Sequence, residues 1–251
     1  ASINNNAAAS DLVSIGSGLV LTRVNTVNVG TIDNVDISGN ATINASADKL
    51  ITNAFTIGGG TVNIAGALAL TGGQGTDGVT LDTVNIVDVV PAEDEVLEIS
   101  INLDRGTNNT TFTDIQFGTN GTDADFNYTG GTGADSVTFT NTNAVSGDAV
   151  FVLGNGANSL EVSSTTTFDA DVTVTGGKAN DTIDFNNSIV SGLLSATLGN
   201  GTNSLNSGGT ISGGLTYSGG ANGDTVTLSN GDDLAGDVSI STGAGIDTVT
   251  I

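Results

Sequence analysis

A Gly-rich turn ending in Asp or Asn recurs at a nearly constant interval from about residue 129 to the end of the sequence. The turns read Gly130-Gly131-Thr132-Gly133-Ala134-Asp135, Gly154-Asn155-Gly156-Ala157-Asn158, Gly176-Gly177-Lys178-Ala179-Asn180-Asp181, Gly199-Asn200-Gly201-Thr202-Asn203, Gly219-Gly220-Ala221-Asn222-Gly223-Asp224 and Gly243-Ala244-Gly245-Ile246-Asp247. Their closing Asp or Asn positions are 23, 23, 22, 21 and 23 residues apart. A fixed period in this range predicts stacked repeats, in which each unit buries its apolar face only against its neighbours.

Between the turns the residues alternate. Ser136-Val137-Thr138-Phe139, Ser159-Leu160-Glu161-Val162, Thr182-Ile183-Asp184-Phe185, Thr225-Val226-Thr227-Leu228 and Thr248-Val249-Thr250-Ile251 each place two apolar side chains on one face, the period of a half-buried strand. A second corner follows, as in Ser146-Gly147-Asp148 and Asp169-Ala170-Asp171, and then another short strand. No window shows apolar spacing of 3.6, and Thr, Val, Asn, Gly and Ser disfavour helix. The expected fold is all-β, a right-handed parallel β-solenoid with coils of about 22–23 residues, each lying ~4.8 Å above the last.

The solenoid extends toward the N-terminus in a looser form. Ile64-Ala65-Gly66 through Thr76-Asp77 repeats the corner, strand and Gly-turn unit, and Ile37-Ser38-Gly39 through Asn44 resembles its first part. Asp77 and Asp135 are 58 residues apart, the length of two coils plus an insertion. That insertion is placed near 90–98, around the only Pro, in Val90-Pro91-Ala92-Glu93-Asp94-Glu95. Residues 1–10 show no strand pattern and read as an N-terminal arm or cap, with residues 11–251 as a single solenoid.

Composition removes whole classes of chemistry. With no Cys and no His among 251 residues, there is no thiolate nucleophile, no imidazole base and no ordinary zinc, haem or iron–sulfur site. The net charge is −23, with Arg23, Lys49, Arg105 and Lys178 the only fixed cations. Nucleic acid and anionic membranes need clustered Lys and Arg, so neither is an expected partner. No apolar run approaches the ~20 residues of a membrane span. Of 27 acids all but Glu93, Glu95, Glu98 and Glu161 are Asp, a turn former and a hard ligand for Ca²⁺.

Gly130-Gly131-Thr132-Gly133-Ala134-Asp135-Ser136-Val137-Thr138 matches the RTX-type nonapeptide G-G-x-G-x-D-x-U-x throughout, and Gly72-Gly73-Gln74-Gly75-Thr76-Asp77 matches its first six positions. The resemblance implies Ca²⁺ bridging successive coils, with Asp224, Asp247, Asp135, Asp181 and Asp77 as ligands. This chain departs from that pattern: the motif occurs once per coil rather than in tandem, and Asn158 and Asn203 stand where Asp is expected. Two readings of the column therefore stand. One is a calcium site, best supported at the consecutive Asp224 and Asp247. The other is a metal-free ladder, in which alternating Asp with Asn spares the repulsion of carboxylates ~5 Å apart.

Composition and turns together resemble bacterial surface-layer proteins and large surface adhesins. The resemblance implies an extracellular, cell-surface structural protein, not an enzyme, that assembles with copies of itself into a layer or filament. The repeat runs to Ile251 without a capping segment, so the expected contact is end-to-end stacking. A non-polymerising adhesin stalk or glycan-binding module is the alternative, with a polysaccharide-active enzyme using paired carboxylates third. The outward Thr rows at Thr225/Thr227 and Thr248/Thr250 are interrupted by Asp184 and Glu161, which reads as an ordinary solvated strand face.

Overall fold

In a computed structural model the chain is described at residues 2–3, 12–24, 26–29, 34–45, 52–87, 97–118, 124–162, 165–229 and 233–251. Every regular element among them is a strand, and every strand pairing is parallel. The body is a β-solenoid of about nine turns.

One coil shows how the sequence makes it. After Asp135 the strand Ser136–Thr140 lies in a first wall, Asn143–Val145 in a second and Ala149–Val152 in a third. Along each strand every second side chain enters the core: Val137 and Phe139, then Val145, then Ala149 and Phe151 are all fully buried. The corner between the first two walls needs left-handed backbone, supplied by Asn141 at φ 62°, a residue type that tolerates it. The Asn143 amide closes this corner by donating to the Thr140 carbonyl at 2.9 Å.

The next coil repeats this plan in register. Ser136 pairs with Ser159, Asn143 with Thr166 and Ala149 with Val172. First and second walls together form a 17-stranded sheet, and the third wall forms a ten-stranded sheet. First-wall partners advance by 23, 23, 22, 21 and 23 residues from Ser136 to Thr248, as the period requires. Earlier coils are longer. Ala54 pairs with Gly78, Gly78 with Asn109 and Asn109 with Ser136, steps of 24, 31 and 27.

The extra length between Asp77 and Asp135 is thus divided between two coils. Residues 88–96, which hold most of the expected insertion, lie outside the described residues, whereas Leu97 and Glu98 already belong to the third-wall strand Leu97–Asn102. Residues 1–10 lie outside them too, except that Ser2 and Ile3 pair with Asn28 and Val29. The solenoid reaches upstream of residue 64: Asn34–Ile37 pairs with Leu12–Ile15 and, through Val35–Ile37, with Val62–Ile64.

All eight Phe and both Tyr are buried. Phe112 stacks on Phe139 in the next coil at 4.6 Å between centroids, and Phe126, Phe151, Phe168 and Phe185 continue the aromatic packing. Val249 keeps the expected inward register opposite Val226 but is exposed at 46%, because a core side chain is covered only when coils lie on both sides of it.

Candidate functional site

The closing residues of the Gly-rich turns form one column, buried as far as Asp224 and half-buried at Asp247. From Asn53 it runs through Asp77, Asn108, Asp135 and Asn158, then Asp181, Asn203, Asp224 and Asp247, one residue per coil. From Asp77 to Asp224 the backbone N–H of each member donates to Oδ1 of the member in the following coil, whereas the Asn53 N–H donates to the Thr76 carbonyl. These bonds measure 3.0 Å from Asp77 to Asn108 and from Asn108 to Asp135, 2.9 Å from Asp135 to Asn158 and 3.1 Å from Asn158 to Asp181. They continue at 3.0, 2.9 and 2.9 Å up to Asp247. At the lower end the Asn53 side-chain amide donates to Asp77 Oδ1 at 2.5 Å. Each bond satisfies a buried N–H that the ladders of the walls do not reach, and such groups are costly to leave unpaired.

The two residue types use their second atom in opposite ways. Asn has a donor, and Asn158 Nδ2 gives its hydrogens to the Gly156 carbonyl at 2.8 Å and to Asp181 Oδ1 at 2.9 Å. Asn203 Nδ2 reaches the carbonyls of Gly199 and Gly201 at 3.2 and 3.3 Å. Asp has only acceptors, so Asp77 Oδ2 takes the Gly73 N–H at 2.9 Å and Asp181 Oδ2 the Gly177 N–H at 3.3 Å. The residue four before the ladder member is left-handed before three Asn, at Asp104, Gly154 and Gly199 with φ 57°, 85° and 69°, and is not left-handed at Gly73, Gly177 or Gly220 before Asp77, Asp181 and Asp224; Gly131 and Gly243, before Asp135 and Asp247, share the left-handed form at 112° and 85°.

The difference reaches one residue further back. In the Asp coils the carboxylate folds over the residue five positions earlier, and that residue is Gly72, Gly130, Gly176 or Gly219. A Cβ on any of these would run into Oδ2 of its own coil's Asp. In the Asn coils the same position carries a fully buried Leu: Leu103, Leu153 and Leu198. Asp with Gly and Asn with Leu therefore alternate, and the true repeat is a pair of coils.

Burial sets the electrostatics. It pushes the carboxyls of Asp77, Asp135 and Asp181 above the usual range, Asp135 to about 6, with the N–H donors of the preceding coil pulling in the opposite sense. Asp135 Oδ2 is buried without a hydrogen-bond partner, as are the hydroxyls of Tyr128 and Thr110. The Tyr128 phenol is raised, first by burial and then by the Asp135 charge. The Tyr217 phenol is raised by burial and by Asp224; the two side chains face each other, yet neither the hydroxyl nor Asp224 Oδ2 completes a bond of good geometry.

All five Asp singled out by the turn motif lie in this column. An Asn intervenes between Asp77 and Asp135, between Asp135 and Asp181, and between Asp181 and Asp224; only Asp224 and Asp247 occupy consecutive coils. Among the described residues no three acidic side chains converge as a metal-binding group. Ca²⁺ takes six to eight oxygens, and the ladder presents N–H groups to its Oδ1 atoms and amide hydrogens to its turn carbonyls. Asn53 and Asn108 are members that the motif does not reveal. The turn before Asn108 is Asp104-Arg105-Gly106-Thr107, without a Gly pair, but Leu103 stands five residues before it as Leu153 does before Asn158.

Acidic residues also stack at the second corner. Glu98, Asp125, Asp148 and Asp171 occupy one column in four coils, and Asp148 N–H donates to Asp125 Oδ1 at 3.0 Å and Asp171 N–H to Asp148 Oδ1 at 3.1 Å. Asp169 does not join this column. A cleft of about 270 Å³ lies on the second wall against Asp36, Ser38, Asn63 and Val87, with Asp36 tied to the Asn63 amide at 2.7 Å.

Fold and ladder together define the chain as a β-solenoid repeat protein. Comparison with protein-family models, with curated proteins and with solved structures finds no match.

Proposed function

We propose that the chain is a structural rod of an extracellular assembly, a surface layer or filament built from copies of itself, in the manner of the RTX-type and surface-layer proteins that its turns resemble. The observation that carries this reading is where the chemically capable side chains go. The Asp and Asn of the most conspicuous motif are consumed as internal hydrogen-bond partners, and every aromatic ring of the chain is inside. No aromatic platform remains on the walls for stacking a sugar, which disfavours the glycan-binding alternative. What the walls offer is short Thr, Ser, Asn and Asp side chains on a rigid, evenly spaced lattice of strands, a surface suited to packing.

Electron microscopy of the purified chain over a rising concentration series, with and without Ca²⁺, tests the reading. Ordered polymers or sheets are expected. Dispersed monomers at the highest concentration in both conditions would overturn it.

A further inference from the structure

The third wall is unlike the rest of the surface. Its outward residues form three columns. The first contains the acidic stack Glu98, Asp125, Asp148 and Asp171. The other two carry no charge on any of nine successive strands, from Thr42 and Asn44 on Ala41–Ala45 to Ser239 and Ser241 on Val238–Ser241. Near the middle these columns hold Val150 and Val152, the latter 38% exposed. In a chain of net charge −23, a charge-free strip over nine coils is where two copies can approach without like charges facing each other.

The edges of this wall are polarised. Its leading edge bears the acids. At its trailing edge lie three of the chain's four cations: Arg23 on the strand Leu19–Val24, and Arg105 and Lys178 in Gly-rich turns. Arg105 follows Asp104 in sequence, whereas Lys178 is the only exposed charge of its turn, the Asp181 that closes it being buried. Lys178 follows Asp171 in the same coil, and both are exposed.

We propose that two copies of this chain pair laterally through their third walls, with rods parallel and related by a two-fold axis along the rod. That operation turns the wall over while keeping each coil at its own height. It lays the acidic edge of one copy against the cationic edge of the other, so that Asp171 meets Lys178 of the second copy, and Glu98 meets Arg105, at matching levels. An antiparallel pair instead sets acids against acids. Both copies have the same ~4.8 Å axial step, so their columns interlock along the full contact with the facing sheets ~10 Å apart. Ten strands and three columns give a contact of roughly 650 Å² per copy, at the lower end for a specific pair. Such an isologous contact closes on itself and leaves the other two walls free. The inference rests on the assembly reading above and names one contact within it.

Sedimentation velocity over micromolar to millimolar concentration, with circular dichroism to verify folding, provides the test. The chain is expected to dimerise reversibly. Thr173→Glu, in the neutral strip, should weaken the dimer at least tenfold, whereas Thr111→Glu on the first wall should change it less than twofold. Asp171→Lys and Lys178→Asp should each weaken it, and the two together should restore it at the original net charge. Equal effects of Thr173→Glu and Thr111→Glu, or a double swap no better than the single ones, would overturn the contact. Ordered assemblies that persist in Thr173→Glu would overturn the contact and leave the structural-rod reading standing; a wild-type chain monomeric throughout removes both.

Discussion

Asp135 is an Asp in a turn shaped for Asn. Four residues earlier Gly131 has a positive φ of 112°, as the corresponding residues of the Asn coils do, and the carboxylate Oδ2 finds no donor. Its pKa is raised from 3.8 to about 6, chiefly by burial. A buried acid with a raised pKa binds its proton more tightly in the folded state. Its contribution to stability is therefore full below pH ~4 and is lost as pH rises through about 6. A rise from 3.8 to about 6 corresponds to ~3 kcal/mol, reduced to ~2 because the turn lies close to solvent. Asp135→Asn removes the ionisation and supplies amide hydrogens for the turn carbonyls. At pH 7 it should stabilise by ~2 kcal/mol, or ~4–8 °C in Tm for a chain of this size. Thermal melts of both proteins at pH 4, 5, 6 and 7, followed by circular dichroism, measure it. The wild type should lose stability toward pH 7, and the variant should lose less, with the gap opening between pH 4 and 6. The reverse exchange, Asn158→Asp, puts carboxyls in three consecutive coils, turns the new one toward the Gly154 and Gly156 carbonyls and should cost ~2 kcal/mol or more at pH 7. A lower Tm for Asp135→Asn at pH 7, or an unchanged drop between pH 4 and 7, would refute the account.

Two further outcomes follow from the turns. Gly133→Ala places a methyl group inside the carbonyl oxygen of Gly106 in the coil below; backbone cannot yield as a side chain does, and a loss of ~3 kcal/mol or more is expected in chemical denaturation. Millimolar Ca²⁺ or a chelator should leave the Tm of the wild type within about 1 °C, since a site filled a hundredfold above its Kd adds ~2.7 kcal/mol and shifts Tm by several degrees; a shift of that size, abolished by Asp224→Asn, would assign Asp224 and Asp247 to a metal.

The solenoid was legible because two independent periods agree. Alternation along Ser136–Thr140 or Ser159–Val162 marks strands, and the constant step between turns marks their stacking. The ladder was half legible. Asp135 through Asp247 announce themselves by their glycines, but a Gly-rich turn before an Asp serves equally to aim carbonyls at a cation or to let turns pack at coil spacing, and only the direction of the peptides decides between them. Asn108 escaped because its turn reaches the left-handed conformation with Asp104 in place of Gly. The pairing of Leu103, Leu153 and Leu198 with Asn, and of Gly130 and Gly176 with Asp, is present in the letters. It has no meaning until the carboxylate is seen lying over the glycine. The polarity of the third wall was hidden for a different reason: Asp171 and Lys178 are near in sequence but sit at opposite edges.

The coil pair also limits how such a chain can change length. Removing a single coil brings two like coils together, either carboxylate above carboxylate and Gly above Gly, or Leu above Leu. Removing two keeps the order intact. Growth and loss in this lineage are therefore expected in blocks such as the 46 residues from Asp135 to Asp181 or the 43 from Asp181 to Asp224. Between Asp224 and Asp247 the order slips by one step. There the position of the missing Gly is held by Thr242, whose hydroxyl donates to Asp247 Oδ2 at 2.9 Å and mends the fault locally, as a graft mends a seam where an odd number of coils has been joined.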